Sequence, residues 1–160
     1  MRAYLVVVLC LLSFVAVSQP KDPGGWQGAK WGATEEQVTK AFPGAVGPNK
    51  VLADGALYNG LELSTFKLVD EEFGVVFWFN KTTSKLSKVA IGLTEDNDAA
   101  YLTLYALLIT KYGTPSYQEE TTFVWVAGLT SISLARVKTG STLGILLQYQ
   151  QLAKEEAAKL

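Results

Sequence analysis

Between Thr94 and Tyr149, a run with helical period gives way to three runs with strand period, and this sets the strongest limit on how the chain can fold. Tyr101, Leu104, Tyr105, Leu108 and Tyr112 recur at spacings of three and four, which places them on one helical face. Asp96, Asn97 and Asp98 can cap its start, Gly113 can take the positive-φ conformation that ends it, and Pro115 blocks continuation. Leu102, Leu107 and Ile109 widen the apolar stripe, so the helix is expected to lie across a sheet. Residues 121–127, 131–137 and 143–149 then read as strands of a meander, joined by Gly128-Leu129 and by a turn containing Gly140.

The preceding stretch has a similar order. Thr34 and Gln37 have the spacing of a capping box, Glu35 and Glu36 suit the positive end of a helix dipole, and Pro43-Gly44 stops the helix. Leu61, Leu63, Phe66 and Leu68 suggest a strand with a bulge near Ser64-Thr65. Phe73, Val75, Phe77 and Phe79 alternate with Val76 and Trp78; apolar residues on both faces predict a central strand. Val89, Ile91 and Leu93 alternate with Lys88, Ala90 and Gly92, as in a hairpin with one solvated face. The expected class is α+β: an antiparallel sheet of about six strands with two helices packed on it, in the order α-β-β-β-α-β-β-β. The two helix ends, Thr39-Lys40 before Phe42-Pro43 and Thr110-Lys111 before Tyr112-Gly113, fit either an internal duplication or chance reuse of a common helix stop.

Residues 1–18 read as a signal peptide, with Arg2 as the basic start, an apolar stretch to Val15, and Ala16-Val17-Ser18 as a small-x-small cleavage box. Cleavage is expected after Ser18. The apolar run is about 11 residues, roughly half of what a membrane-spanning helix needs, so no stable membrane insertion is expected after cleavage. Cys10 sits too early for a lipid-attachment box, and Leu9 before it is too bulky. The expected location is periplasmic or secreted. Residues 19–25, rich in Pro and Gly, read as a flexible lead-in, 26–150 as a single domain and 151–160 as a charged tail.

Composition removes several chemistries. The sequence has no histidine, and Cys10 is its one cysteine. The exported chain therefore has no thiol redox pair, no Ser-His-Asp or Cys-His arrangement and no ordinary zinc ligand set. Without Arg2, 13 basic residues face 15 acidic ones, a net charge of −2 that is unlike the field of a nucleic-acid binder. Glu62, between Leu61 and Leu63, is the best single candidate for a catalytic carboxylate, set against the plainer reading of a solvated strand face. The acidic runs Glu95-Asp96-Asn97-Asp98 and Asp70-Glu71-Glu72 lack the ligand spread of a calcium loop, so neither a metal nor another cofactor is expected. Asn80-Lys81-Thr82 matches a glycosylation sequon, relevant only in a eukaryotic host. Aromatic residues remain as candidate contacts for a ligand or partner: Trp26, Trp31, Tyr117 and Trp78.

The motifs Trp31-Gly32, Glu35-Glu36, Val38 and Lys111-Tyr112-Gly113-x-Pro115, with Trp125 downstream, resemble those of small exported bacterial proteins of unassigned function. The layout is similar to the outer-membrane assembly lipoproteins and the beta-lactamase-inhibitor-protein superfamily, although no usable lipid-attachment cysteine is present. That resemblance implies a binding or scaffolding module. The leading expectation is a non-catalytic domain that binds a protein or peptide, its partner another exported or envelope protein, through an edge strand or the uncovered sheet face. The alternative is a carrier of a small apolar ligand or lipid, with its pocket between the long helix and the sheet. A carboxylate-dependent hydrolase comes third.

Overall fold

A computed structural model describes residues 20–157; the expected leader, 1–18, lies outside the described residues. The elements run β1 (Gly25–Trp26), β2 (Ala29–Lys30), α1 (Glu35–Ala41), β3 (Ala53–Asp54), β4 (Leu57–Leu68), β5 (Glu71–Asn80) and β6 (Leu86–Leu93). They continue with α2 (Asp98–Tyr112), β7 (Tyr117–Glu119), β8 (Thr122–Ala127), β9 (Thr130–Thr139), β10 (Thr142–Gln151) and α3 (Lys154–Ala157). Strands β1 and β2 form a ribbon of their own. The other eight form one antiparallel sheet in the order β3-β4-β5-β6-β10-β9-β8-β7.

This corrects the expected α+β arrangement of about six strands and two helices. The fold is mostly β, with an eight-stranded sheet, a two-stranded ribbon and helices of 7, 15 and 4 residues. Strands β1, β2, β3 and β7, absent from the expected order, are two or three residues long, too short for a period of two to register. Each of α1 and α2 is followed by four strands rather than three, and the two halves are unequal. Strand β4 has 12 residues and shifts register against β5, whereas β8 has 6 and pairs with β9 without a shift.

The sheet is buried from one side. Cross-strand partners share a face, and one row runs Leu61, Phe77, Val89, Tyr149, Ile132, Trp125 across six strands, every member buried. Helix α1 reaches this face through Val38, and Phe42 just beyond its end lies 5.1 Å from Phe77 between ring centroids. Trp26 stacks on Phe42 at 5.6 Å and meets Phe66 edge-on at 4.9 Å. Helix α2 covers the other half. Tyr105 packs on Phe123 and Trp125, the Tyr101 hydroxyl donates to the Thr121 carbonyl at 2.9 Å, and Trp125 Nε1 donates to the Gly113 carbonyl at 2.8 Å. Leu102 and Leu107, expected to widen the buried stripe, are 61% and 53% exposed. The spacing of the tyrosines, not total apolarity, orients the helix.

Local signals explain both helix starts. Thr34 and Gln37 make the reciprocal capping box, at 3.3 and 2.9 Å, and Asn97 caps α2 by accepting from the Ala100 N–H at 3.0 Å. Helix α2 ends at Gly113, whose φ of 80° and ψ of −155° lie in a region that is essentially glycine's alone.

Within the Pro- and Gly-rich stretch before β1, Asp22 ties the chain to the far side of the sheet. Its carboxylate accepts from Gly24 N–H at 2.8 Å, Leu129 N–H at 2.6 Å and the Thr130 hydroxyl at 2.7 Å; Trp31 Nε1 in turn donates to Thr130 Oγ1 at 2.8 Å. Burial works to push the Asp22 carboxyl up, but the three donors together outweigh it and hold the group below the ordinary carboxylate range.

Two outcomes follow for stability. Gly113→Val is expected to destabilise the fold by more than about 1 kcal/mol, read from denaturant midpoints, because valine is strained at that backbone conformation. Asp22→Ala is expected to cost about 1.5–3 kcal/mol at pH 7, the range for hydrogen bonds to a charged group. With its folded value depressed, the Asp22 carboxylate stabilises the fold above the unfolded pKa of about 3.9, and this contribution is lost as pH falls through the folded value. Acid titration of the two proteins should therefore show their stabilities converging below about pH 4.

Candidate functional site

Neither long helix covers the opposite face of the sheet. There the outward positions of β5 and β6 are small or apolar: Gly74 pairs with Gly92, and Val76 with Ala90. Across β10, Leu146 pairs with both Gly92 and Ala135, and Val137 lies one pair further along, opposite Gly144. All of these but Ala135 line an open trough of about 450 Å³ with a predominantly apolar wall. Its lining side chains Val76, Ala90, Val137 and Leu146 are half-buried, so they are available to a second molecule.

The glycines differ in what the fold asks of them. At Gly144 a Cβ would stand 2.5 Å from the Leu93 carbonyl oxygen, so close approach of the backbones excludes any side chain. At Gly74 and Gly92 a Cβ would meet nothing nearer than 3.9 and 4.0 Å, and neither residue has positive φ. The backbone therefore has room for a Cβ at both positions. Glycine inside a strand weakens it and commonly marks where a ligand or another backbone approaches.

Polar groups border the trough. Gln148 and Ser133, paired across β10 and β9, extend the row that begins with Val76 and Ala90, and Glu62 continues it on β4. Glu62 Oε1 accepts from Asn59 Nδ2 at 3.0 Å. At the other end of this face, Lys88 is buried with its Nζ 2.5 Å from Asp54 and 4.6 Å over the Trp78 ring. The hydrogen bond and the charge of Lys88 hold Asp54 below the ordinary carboxylate range.

The four aromatic residues marked in the sequence do not converge. Trp26 is buried in the α1 cluster, and Trp31 is half-buried against Thr130. Tyr117 is 54% exposed on the edge strand β7, its hydroxyl donating to Glu119 at 2.6 Å. Trp78 lies on the helix-free face beneath Lys88, and Tyr117 shares that face at its edge, in register with Val124 and Ser133. The acidic runs serve the fold: Arg136 bridges Asp96 and Asp98 and stacks 4.5 Å over Tyr101, while Asn97 donates to Glu71 at 2.7 Å. Among the described residues, no group of three or more His, Cys, Asp or Glu side chains is arranged to hold a metal ion, and no helix is long and apolar enough to cross a membrane.

The trough residues carried a weak signal in the sequence. Gly92 and Ala90 alternate with the core positions of β6, and Gly74 interrupts the apolar run of β5. Only the pairing of the strands brings the two glycines side by side.

No curated protein and no solved structure matches the chain. A family model, the TP0088 domain, matches residues 60–159, a span that contains every strand lining the trough and leaves out β1, β2, α1 and β3. Covering more than half of the 160 residues, that match shows that the chain belongs to the TP0088 domain family.

Proposed function

We propose that this chain is a non-catalytic module that binds an extended segment of another exported or envelope protein on the helix-free face of its sheet. The observation that carries the reading is the Gly74–Gly92 pair on the floor of an open apolar trough, at positions where the fold itself does not require glycine. An extended chain lying there would set alternate apolar side chains against that floor, between Val76 and Leu146. Gln148 and Ser133 are placed to exchange hydrogen bonds with its backbone.

Other features favour binding over hydrolysis. Most of the carboxylates considered for chemistry have structural partners: Glu62 with Asn59, Asp70 with Lys67, Glu71 with Asn97, and Asp96 and Asp98 with Arg136. A carrier pocket between α2 and the sheet has no support either, since Tyr101, Leu104, Leu108 and Tyr112 fill that space. The trough could take an apolar small molecule, but, being open, it encloses far less of a ligand than a closed cavity does.

Selection of a displayed peptide library against the protein, with Gly92→Val and Gly74→Val as controls, tests the reading. Peptides with alternating apolar residues should emerge and bind the wild type. Either valine should weaken them at least about tenfold while leaving the melting temperature unchanged or raised, since valine favours strands. Peptides that bind wild type and both folded variants equally would remove this face from the function. A fluorescent fatty acid that binds more tightly than any selected peptide would favour the lipid-carrier reading instead.

A further inference from the structure

Glu62 adjoins the trough from β4, where it pairs with Val76. Its backbone is fixed on the outer side by Val46: Glu62 N–H donates to the Val46 carbonyl at 2.8 Å, and Val46 N–H to the Glu62 carbonyl at 2.9 Å. Its side chain is held as well. Oε1 accepts from Asn59 Nδ2 at 3.0 Å. Asn59, 1% exposed, is itself locked, since its Nδ2 also donates to the Lys50 carbonyl at 3.1 Å and its Oδ1 accepts from the Leu52 N–H. The second carboxylate oxygen, Oε2, has neither a hydrogen bond nor an ion pair among the described residues, and it is open to solvent.

No cation of the described chain answers that oxygen. Along β5 to β10, Lys88 is the one basic residue at the positions that turn away from the core, and it is buried and committed to Asp54. On β4, Lys67 lies opposite Glu72 and bridges Asp70. Lys50, tied to Asn59 through its carbonyl, forms no ion pair among the described residues. Glu62 thus presents a half-buried, fixed carboxylate with one oxygen unused. A segment lying in the trough against Val76 would take water from Oε2, and burying a charge without a partner is costly. A basic side chain on the segment removes that cost, whereas an acidic one adds repulsion.

The Gly74–Gly92 floor lies on the order of 10 Å from Glu62, or roughly three residues of extended chain, given the spacing of strands and of residues along them. We propose that Glu62 selects the segment bound in the trough by pairing with a lysine or arginine placed within about four residues of the side chain seated on the two glycines. With Oε1 taken by Asn59, a single donor is enough, so either basic residue serves. The inference rests on the reading of the trough as a peptide site and adds the charge of the partner to it.

Selection of the displayed peptide library against wild type, Glu62→Gln and Glu62→Lys tests the inference. Peptides from the wild type should carry Lys or Arg at one recurrent position beside the apolar run, and Asp or Glu should take that position in peptides from Glu62→Lys. Glu62→Gln keeps an acceptor for Asn59, so its melting temperature should match that of the wild type, while it binds the basic peptides about fivefold more weakly. Changing the basic residue of a peptide to glutamine should cost a similar factor on the wild type and nothing on Glu62→Gln. Peptides that lack a recurrent basic residue, or bind wild type and Glu62→Gln equally, yet are weakened by Gly92→Val, would overturn the role of Glu62 and leave the trough in place. Peptides indifferent to both Gly92→Val and Gly74→Val would remove the trough, and the role of Glu62 with it.

Discussion

The structure depends on a single row of packed side chains. Leu61, Phe77, Val89, Tyr149, Ile132 and Trp125 lie side by side across six strands, and both long helices rest on the face they share. Full burial of a side chain of this kind contributes about 1.5–3 kcal/mol, so this face carries much of the stability of a chain without a disulfide among its described residues. The helices are fixed by polar contacts at their ends, and their middles supply apolar bulk. Trp125 holds the Gly113 carbonyl, Tyr101 holds the Thr121 carbonyl, and Arg136 binds the start of α2 through Asp96 and Asp98.

A core on one face leaves the other available for binding. Because side chains alternate along a strand, the register that buries Phe73, Val75 and Phe77 also turns Gly74 and Val76 outward. Across the strand pair, the same register sets Gly92 and Ala90 beside them. Stability and the candidate binding surface are therefore two consequences of one register. The ribbon held by Asp22 packs on the helix side of the sheet beside α1, through Trp26 on Phe42 and Phe77, and so leaves the trough face clear.

Long periodic segments were legible in the sequence and short ones were not. The alternation of β5 and the tyrosine spacing of α2 are strong because each repeats several times, and Thr34 with Gln37 is a local signal that needs no tertiary context. The edge strands β3 and β7 exist because a neighbour pairs with them, and two or three residues carry no period. The ribbon is built from Gly25, Trp26, Ala29 and Lys30, in a stretch whose composition reads as linker, and its anchor Asp22 bonds to residues more than a hundred positions away. The candidate site was harder still. Aromatic residues drew attention as contacts, yet Trp26 and Trp31 serve the interior, while the exposed trough is floored by glycines whose importance depends on what pairs with what. Leu102 and Leu107 show the converse error, since apolar residues on a helix need not face the core.

We propose the helix-free face as the working surface. Site-specific photo-cross-linking in cells tests it most directly, with a photoreactive amino acid at Val76 or Leu146 in the trough and, as the comparison, at Leu102 on the outer face of α2. A partner protein should be captured from positions 76 and 146 and not from 102. Capture from Leu102, with none from either trough position, would place the working surface on the helices and contradict the account.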